Sequence, residues 1–327
     1  MREFQLLSHL ASLAAADPQP AWLRVPPGDD MALVDLPGGR LLVAVDQVVE
    51  GRHFVSGTPL QAVGRKAVLR NVSDVAAMAG VPLACLASVA LPATVDEAGA
   101  LALLAGVRSA TAEWQCPLIG GDTAVHAAPG SPLVLSVTIL AVPGPTGRVV
   151  TRSGTCAGDA VCVTGALGGS MQPDGMGRHL EFTPRVAAAL ELVSVLGDRL
   201  HAMLDISDGL GRDAAHLARS AAPGSAPSAA AAPSALDLEL RATAIPCNAG
   251  CTWQHALRDG EDHELLFTCA GTPPAHVAGV PVTVIGTAVP PAHAGSSAVW
   301  VLDGAQRINA TALGWEHVSH SSRGAAR

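Results

Sequence analysis

Short motifs with aspartate beside glycine, or at the end of an apolar run, recur along this sequence. They are Gly28-Asp29-Asp30, Val45-Asp46, Asn71-Val72-Ser73-Asp74, Gly120-Gly121-Asp122 and Asp205-Ile206-Ser207-Asp208-Gly209. Any one of them alone is ordinary turn or helix-cap chemistry. Together they stand out, because the chain has only 28 acidic residues among 327 and α/β folds gather ligands at strand ends. We therefore expect these carboxylates to converge in the folded chain.

A cluster of aspartates suits hard cations. Mg²⁺ takes oxygen ligands, usually one or two carboxylates, with phosphate oxygens and waters completing its octahedron. Without metal, the cluster would repel itself and shift some members toward protonation. No Walker A sequence and no protein-kinase motif set is present. The chemistry that fits best is metal-assisted binding of a nucleotide's phosphates.

The order of a larger set of motifs resembles that of the thiamine-monophosphate kinase family. The set comprises the motifs at residues 28–30, 45–54, 64–67, 71–78, 120–123, 151–154, 205–210 and 260–262. Several are shared with the wider superfamily of aminoimidazole ribonucleotide synthetase, selenophosphate synthetase and a hydrogenase maturation protein. The stretches 71–78, 205–210 and 260–267 are the ones that point to the thiamine enzymes, and the matches run from about residue 28 to Trp315.

The resemblance implies a fold and an activity. The expected fold is a two-domain α/β (α+β) chain, in which an N-terminal sheet pairs with that of a second subunit into a β-barrel and a C-terminal α/β domain follows. A homodimer is therefore implied, with the active site in the cleft between domains. The implied reaction moves the γ-phosphoryl group of ATP onto thiamine monophosphate by direct in-line transfer, with Mg²⁺ and without a phospho-enzyme.

The resemblance also assigns roles to individual residues. The metal ligands would be Asp30, Asp46, Asp74, Asp122, Asp205 and Asp208. ATP would be contacted by Gly121, Asp122, Arg152 and Ser207. The thiamine substrate would be contacted by His53, Glu261 and Trp315. Taken alone, His53 would more often be a capping or core histidine, and Trp315 a packing residue.

The sequence departs from the family's pattern at two places. Ala44, Val45 and Gln47 surround Asp46, where the family usually has hydroxyl residues. Asp259 and His263 replace a glycine and a tyrosine beside Glu261. Two alternatives therefore stay open, namely another ATP-using enzyme of the superfamily, similar to aminoimidazole ribonucleotide synthetase, and a nucleotide-binding paralogue without catalysis.

Alternating β-rich and helix-like segments must position these motifs. Strands are predicted at 41–45, 84–91, 133–142, 160–164, 264–269 and 282–289, and helices at 65–79, 186–196 and from about 209 to 219. The Pro-Gly-Pro stretch near residue 145 predicts a domain junction, with an N-terminal domain at 1–146 and a C-terminal domain at 147–327. The Ser, Ala, Pro and Gly segment 220–235 is predicted to be a flexible insertion, and 320–327 a loose tail.

Composition limits the class of protein. A net charge of -8, with Lys66 as the only lysine, argues against a nucleic-acid-binding surface. Seven scattered cysteines indicate free thiols in a reducing compartment. A zinc site at Cys247, Cys251 and His255 is not favoured, because zinc pairs are usually spaced more tightly. No signal peptide or membrane span is recognised, so a cytoplasmic protein without membrane contact is expected.

Overall fold

The computed structural model describes residues 19–219, 235–293 and 296–315. The predicted insertion at 220–235, apart from its last residue, lies outside these ranges, as does the predicted tail at 320–327. Within them, the chain forms two β-sheets with helices packed against them.

The first sheet has six strands in the order β1-β2-β3-β6-β4-β5. Their bounds are β1 Leu23–Val25, β2 Ala32–Leu36, β3 Gly39–Val49, β4 Gly80–Leu91, β5 Leu118–Val125 and β6 Val134–Pro143. Neighbours are antiparallel except β4 and β5, which are parallel. Along β6, buried Leu135, Val137 and Ile139 alternate with half-buried residues. This alternation gives the sheet one face turned to the core.

Two helices accompany this sheet, α1 at Leu60–Ala77 and α2 at Glu97–Glu113. The α1 helix is buried along most of its length and contacts β3, β4 and β6. It crosses α2 at a very close approach, because a Cβ atom at Gly64 would lie 2.1 Å from the carbonyl oxygen of Leu103, and one at Gly106 would lie 1.9 Å from that of Gln61. Glycine at both positions is therefore required by packing.

The second sheet has eight strands in the order β14-β13-β9-β12-β7-β10-β8, with β11 paired to β12. Their bounds are β7 Ala160–Thr164, β8 Leu200–Asp205, β9 Asp237–Arg241, β10 Leu265–Cys269, β11 His276–Val277, β12 Val280–Val289, β13 Ala298–Asp303 and β14 Gln306–Asn309. The remaining helices are α3 at Val186–Leu196, α4 at Leu210–Ala218 and α5 at Trp253–Arg258. Central strands such as β10 are buried throughout, as expected where both faces are covered.

A continuous apolar core joins the two sheets. It includes Val137 and Ile139 from the first sheet, Leu192 from α3, and Met203 and Phe267 from the second sheet. A second core lies within the C-terminal half.

The mixed α/β class is confirmed. The first sheet is open in the single chain, with β1 and β5 as its edges.

The predicted strands and helices are confirmed to within a few residues, except that α1 begins at Leu60 and not at residue 65. The junction predicted after residue 146 falls in the connection between β6 and β7, and its role as a domain boundary stays a prediction. Across the described ranges, none of the helices combines the length and apolar character needed to span a membrane.

Candidate active site

Three aspartates from distant parts of the chain meet where the two sheets join. Asp30 precedes β2, Asp74 lies on α1, and Asp205 is the last residue of β8. One carboxylate oxygen from each lies within 4.8 Å of the others. Convergence of the predicted carboxylates is therefore seen for these three.

Electrostatics at this carboxylate cluster (Asp30, Asp74 and Asp205) show an excess of negative charge. Burial, opposed in part by Arg152, raises the pKa of Asp30 to about 7. Burial, together with the charges of Asp46, Asp205 and Asp30, raises the pKa of Asp74 well above its usual value. Burial acts on Asp205 in the same direction, but hydrogen bonds from His263 and Ser73 outweigh it and lower its pKa. Two of the three groups thus hold negative charge only at a cost, which a bound cation would relieve.

Arg152 binds both aspartates of the Gly28-Asp29-Asp30 motif. Its Nη2 and Nε atoms donate to Asp30 at 2.6 and 3.2 Å, and its backbone N–H donates to Asp29 at 3.1 Å. The fork geometry of a guanidinium matches a carboxylate in this way. Arg152 therefore ties the chain before β7 to the chain before β2, at the edge of the carboxylate cluster.

A second group of charges lies beside the cluster. Lys66 and Arg70 on α1 both bind Glu261, with Nζ to Oε2 at 3.0 Å and Nη1 to Oε1 at 2.9 Å. Arg70 also binds Asp46, with Nε to Oδ2 at 2.9 Å. The pKa of Glu261 is held well below its usual value, because Arg70 and Lys66 outweigh the effect of burial. Asp46 therefore reaches this site through Arg70, and not as a member of the three-carboxylate cluster.

His263, one of the residues that depart from the family pattern, connects the two groups. Its Nδ1 lies 3.1 Å from Oδ2 of Asp205 and its Nε2 lies 3.2 Å from Oε2 of Glu261. Because ionised carboxylates only accept hydrogen bonds, this pair of partners favours the protonated ring, in which both nitrogens donate. These partners outweigh burial and raise the pKa of His263. Its ring also stacks on Phe182, with centroids 4.0 Å apart.

The predicted substrate contacts lie around this network. The backbone oxygen of His53 accepts a hydrogen bond from Lys66 Nζ at 2.6 Å. The backbone oxygen of Ser207 accepts from the Glu261 N–H at 2.7 Å, and that of Asp208 accepts from the Trp315 N–H at 2.8 Å. These residues are thus brought toward one site. Their contacts with ATP or thiamine stay predictions.

Gly121 and Asp122 lie elsewhere. Both are exposed on the edge strand β5 and line an apolar groove between that strand and α2. A Cβ atom at Gly121 would lie 1.9 Å from the carbonyl oxygen of Ala87, so strand packing alone accounts for the glycine. Among the described residues, the carboxylates that lie within 4.8 Å of one another are those of Asp30, Asp74 and Asp205, and Asp122 is not one of them. Its role as a metal ligand stays a prediction.

Sequence analysis missed Lys66, Arg70 and Ser73 as site residues. Lys66, Arg70 and Asp74 follow one another at steps of four on α1, so they share a helix face. Ser73 Oγ donates to Asp205 Oδ2 at 2.5 Å. The available signal was the spacing of the chain's only lysine, which lies four residues before Arg70 and eight before Asp74 on one helix. The direction of the Lys66 side chain toward Glu261 depends on the tertiary fold.

The chain is similar in sequence and fold to several known proteins. Residues 28–142 match the family model "AIR synthase related protein, N-terminal domain". The chain is 34% identical over 305 residues to a thiamine-monophosphate kinase of Rhodopirellula baltica, covering 86% of this chain and 89% of that protein. It is 32% identical over 267 residues to the enzyme of Aquifex aeolicus, covering 74% and 79%.

Solved structures with the same fold include AaThiL complexed with AMPPCP and TMP. That structure superposes with a TM-score of 0.74 at 27% sequence identity, covering 97% of both chains. A second structure, thiamine monophosphate kinase from Aquifex aeolicus, gives a TM-score of 0.67 at 25% identity, covering 94% of this chain and 99% of that one.

Proposed function

Because the chain belongs to the thiamine-monophosphate kinase family and is an ATP-dependent phosphotransferase, we propose that it phosphorylates thiamine monophosphate to thiamine diphosphate with Mg²⁺. The observation that carries this proposal is the cluster of Asp30, Asp74 and Asp205, with Arg152 at its edge. The related AaThiL structure, with AMPPCP and TMP, supports the choice of ATP and thiamine monophosphate as substrates.

The carboxylate cluster fits Mg²⁺. All three ligands are oxygens, as Mg²⁺ requires, and two of them have pKa values raised by burial and mutual repulsion. Asp30, Asp74 and Asp205 would hold the ion. Asp46, whose charge acts on Asp74, is proposed as a further ligand. Asp122 and Asp208 are further proposed ligands by resemblance. When bound, Mg²⁺ supplies positive charge that offsets the charge of the nucleotide's phosphates.

The protein's own groups orient the reactants. Arg152, together with Gly121, Asp122 and Ser207, is proposed to contact ATP, and His53, Glu261 and Trp315 to contact thiamine monophosphate. An oxygen of the thiamine phosphate attacks the γ-phosphorus of ATP as the bond to the β,γ-bridging oxygen breaks, so that ADP leaves. No protein nucleophile is needed, because alignment and charge compensation supply most of the catalysis.

A homodimer is part of the proposal. Val45 on β3 and Leu86 on β4 both pair with Thr138 of β6 and lie on the sheet face opposite buried Val137. They are 64% and 37% exposed. An apolar sheet face of this kind suits a second copy of the same sheet, completing the expected barrel.

We also propose a cytoplasmic location, where ATP is available.

The test is a coupled assay of ADP formation with thiamine monophosphate, and product analysis for thiamine diphosphate. ADP formation should require Mg²⁺ and rise on addition of thiamine monophosphate, but not of unphosphorylated thiamine. A rise with a formylglycinamidine-type substrate alone would favour the aminoimidazole ribonucleotide synthetase alternative. ATP binding with no stimulation by any acceptor would favour the non-catalytic alternative.

The in-line step has a separate test. The substrate is an ATP analogue whose γ-thiophosphate group is made chiral by oxygen isotopes. One direct displacement inverts the configuration at its phosphorus. Retention would indicate two displacements, and hence a phospho-enzyme, and would overturn this part of the proposal.

A further inference from the structure

A second group of metal-binding side chains lies at the other end of strand β8. Cys156, Asp159 and His201 each place one ligand atom within 4.8 Å of the others. His201 is the second residue of β8, four residues before Asp205, so this group lies about 13 Å along the strand from the carboxylate cluster.

The chain fixes the geometry of this group. A tight turn, with Gly158 at φ +93°, brings Cys156 and Asp159 face to face, and the backbone N–H of Cys156 donates to Asp159 Oδ2 at 2.7 Å. Nδ1 of His201 lies 2.8 Å from the same carboxylate oxygen. The Asp159 side chain is only 3% exposed, whereas Cys156 is exposed. Asp159 is thus enclosed by the protein, whereas solvent reaches the group at Cys156.

We propose that Cys156, Asp159 and His201 bind Zn²⁺, with water as the fourth ligand. Sulfur, imidazole nitrogen and carboxylate oxygen are the ligands that Zn²⁺ takes in tetrahedral sites. A soft thiolate ligand excludes Mg²⁺. The hydrogen bond from the Cys156 N–H orients Asp159, as outer partners do in zinc sites. Two ligand atoms on a tetrahedral ion with bonds of about 2.0 Å lie about 3.3 Å apart, so Nδ1 of His201 and Oδ2 of Asp159 would move apart by about 0.5 Å to admit the metal.

Binding requires the thiol to lose its proton. Partial burial and the Asp159 charge raise the pKa of Cys156 in the metal-free protein. On binding, the sulfur–zinc bond forms and the thiol proton passes to solvent. His201 Nδ1 gives up the proton that it donates to Asp159, so that the neutral ring binds through Nδ1 with its proton on Nε2. The weak contact from Sγ to the Gly154 carbonyl at 3.4 Å is lost. Zinc affinity should therefore rise with pH.

The site has a consequence for the neighbouring segment. Residues 151–159 connect Arg152 with this turn, and the carbonyl of Thr151 accepts a hydrogen bond from the N–H of Met203 on β8. Without metal, Asp159 already contacts His201 of β8. Zinc binding would add Cys156 to this link and replace a hydrogen bond with bonds to the metal. The bound metal therefore restrains the segment that carries Arg152.

The zinc site considered from the sequence, at Cys247, Cys251 and His255, is not formed among the described residues. There, His255 Nδ1 accepts the N–H of Thr252 at 3.0 Å, within the capping box of α5. This makes Cys251 a suitable control thiol for the proposed site.

The experiment is a Zn²⁺ titration of the full chain, in competition with a chromophoric chelator. With excess Mg²⁺ present to occupy the carboxylate cluster, we expect one zinc site per chain. Cys156→Ser and His201→Gln should each weaken it by at least about 100-fold, more than the loss of an outer partner causes. Cys251→Ser and His276→Gln, which change a thiol and an exposed imidazole elsewhere, should bind as the unchanged chain does. Equal binding by Cys156→Ser, or no binding by the unchanged chain, would overturn the proposal.

Two further readouts separate a metal site from a merely structural role. Co²⁺ in place of Zn²⁺ should give a thiolate charge-transfer absorption that is lost in Cys156→Ser and kept in Cys251→Ser. With excess Mg²⁺ present, Zn²⁺ should raise the melting temperature of the unchanged chain, and not that of His201→Gln. Absence of the absorption from the unchanged chain would also refute the assignment.

Discussion

The ammonium group of Lys66 lies 3.0 Å from the carboxylate of Glu261, and the lysine side chain is fully buried. Burial lowers the pKa of Lys66 to about 8, although Glu261 opposes the shift. Because both groups are removed from water, each depends on the other for compensation. The contact joins α1 to the loop before β10, and so joins the two sheets at the site.

Loss of the Lys66 charge should destabilise the fold. We expect Lys66→Met to lower the free energy of unfolding by about 3 kcal/mol, because Glu261 keeps a buried charge with fewer partners. A double-mutant cycle with Glu261→Gln should give a coupling of about 2 kcal/mol in urea unfolding. The more exposed pair Arg65 and Glu113, 2.6 Å apart, should give less than about 1 kcal/mol. Additive effects at Lys66 and Glu261 would contradict the described contact.

Replacement of Asp74 should separate activity from stability. Asp74→Asn removes a buried like charge, so the melting temperature without Mg²⁺ should be unchanged or higher. Turnover should fall at least about 100-fold, because a metal ligand is lost. The exposed Asp198 serves as control, and Asp198→Asn should stay within about twofold of the unchanged chain. Near-normal turnover of Asp74→Asn would rule out its role as a ligand.

The outward face of the first sheet should control assembly. Val45→Arg places a charge on the proposed dimer surface, so light scattering after gel filtration should show a monomer where the unchanged chain is a dimer. Val195→Arg on α3 changes a similarly exposed valine, 50% accessible, and should leave the dimer intact. A dimeric Val45→Arg protein would place the interface elsewhere.

His179 should make the fold sensitive to acid. Burial and the charge of Lys66 lower its pKa from 6.5 to about 4, and its Nδ1 lies 2.7 Å from Lys66 Nζ. The unfolded chain therefore binds the proton more tightly, and stability falls as pH drops through the window from 6.5 to 4. The loss should be on the order of 3 kcal/mol.

The test compares urea unfolding at pH 7.5 and pH 5. His179→Gln keeps an acceptor for Lys66 but cannot be protonated, so the stability lost between these pH values should be smaller than in the unchanged chain. His276→Gln, at an exposed site, should lose as much as the unchanged chain does. Equal losses in all three proteins would show that His179 is not buried in its neutral form.

Sequence reasoning succeeded where a local pattern carries the information. The motifs around Asp30, Asp74 and Asp205 were recognised from neighbouring glycines and apolar runs, and these residues do converge. Helix α2 was missed, because its face is built from Ala, Gly and Leu with little contrast between its sides. Its N-cap, with Asp96 accepting the Gly99 N–H at 2.8 Å, was the available signal.

Other features depend on tertiary contacts that no local pattern encodes. The network of Lys66, Glu261 and His263 joins residues nearly 200 positions apart, and Cys156 meets His201 only because the turn at Asp159 packs against β8. Asp122 shows the converse case, since its motif is as clear as the others but lies on an exposed edge strand.

The most direct test of the central claim is the position of metal in crystals grown with Mn²⁺ and a non-hydrolysable ATP analogue. Anomalous difference density should appear among the carboxylates of Asp30, Asp74 and Asp205, beside the analogue's phosphates. Density for the analogue with metal bound away from all three carboxylates would contradict the account.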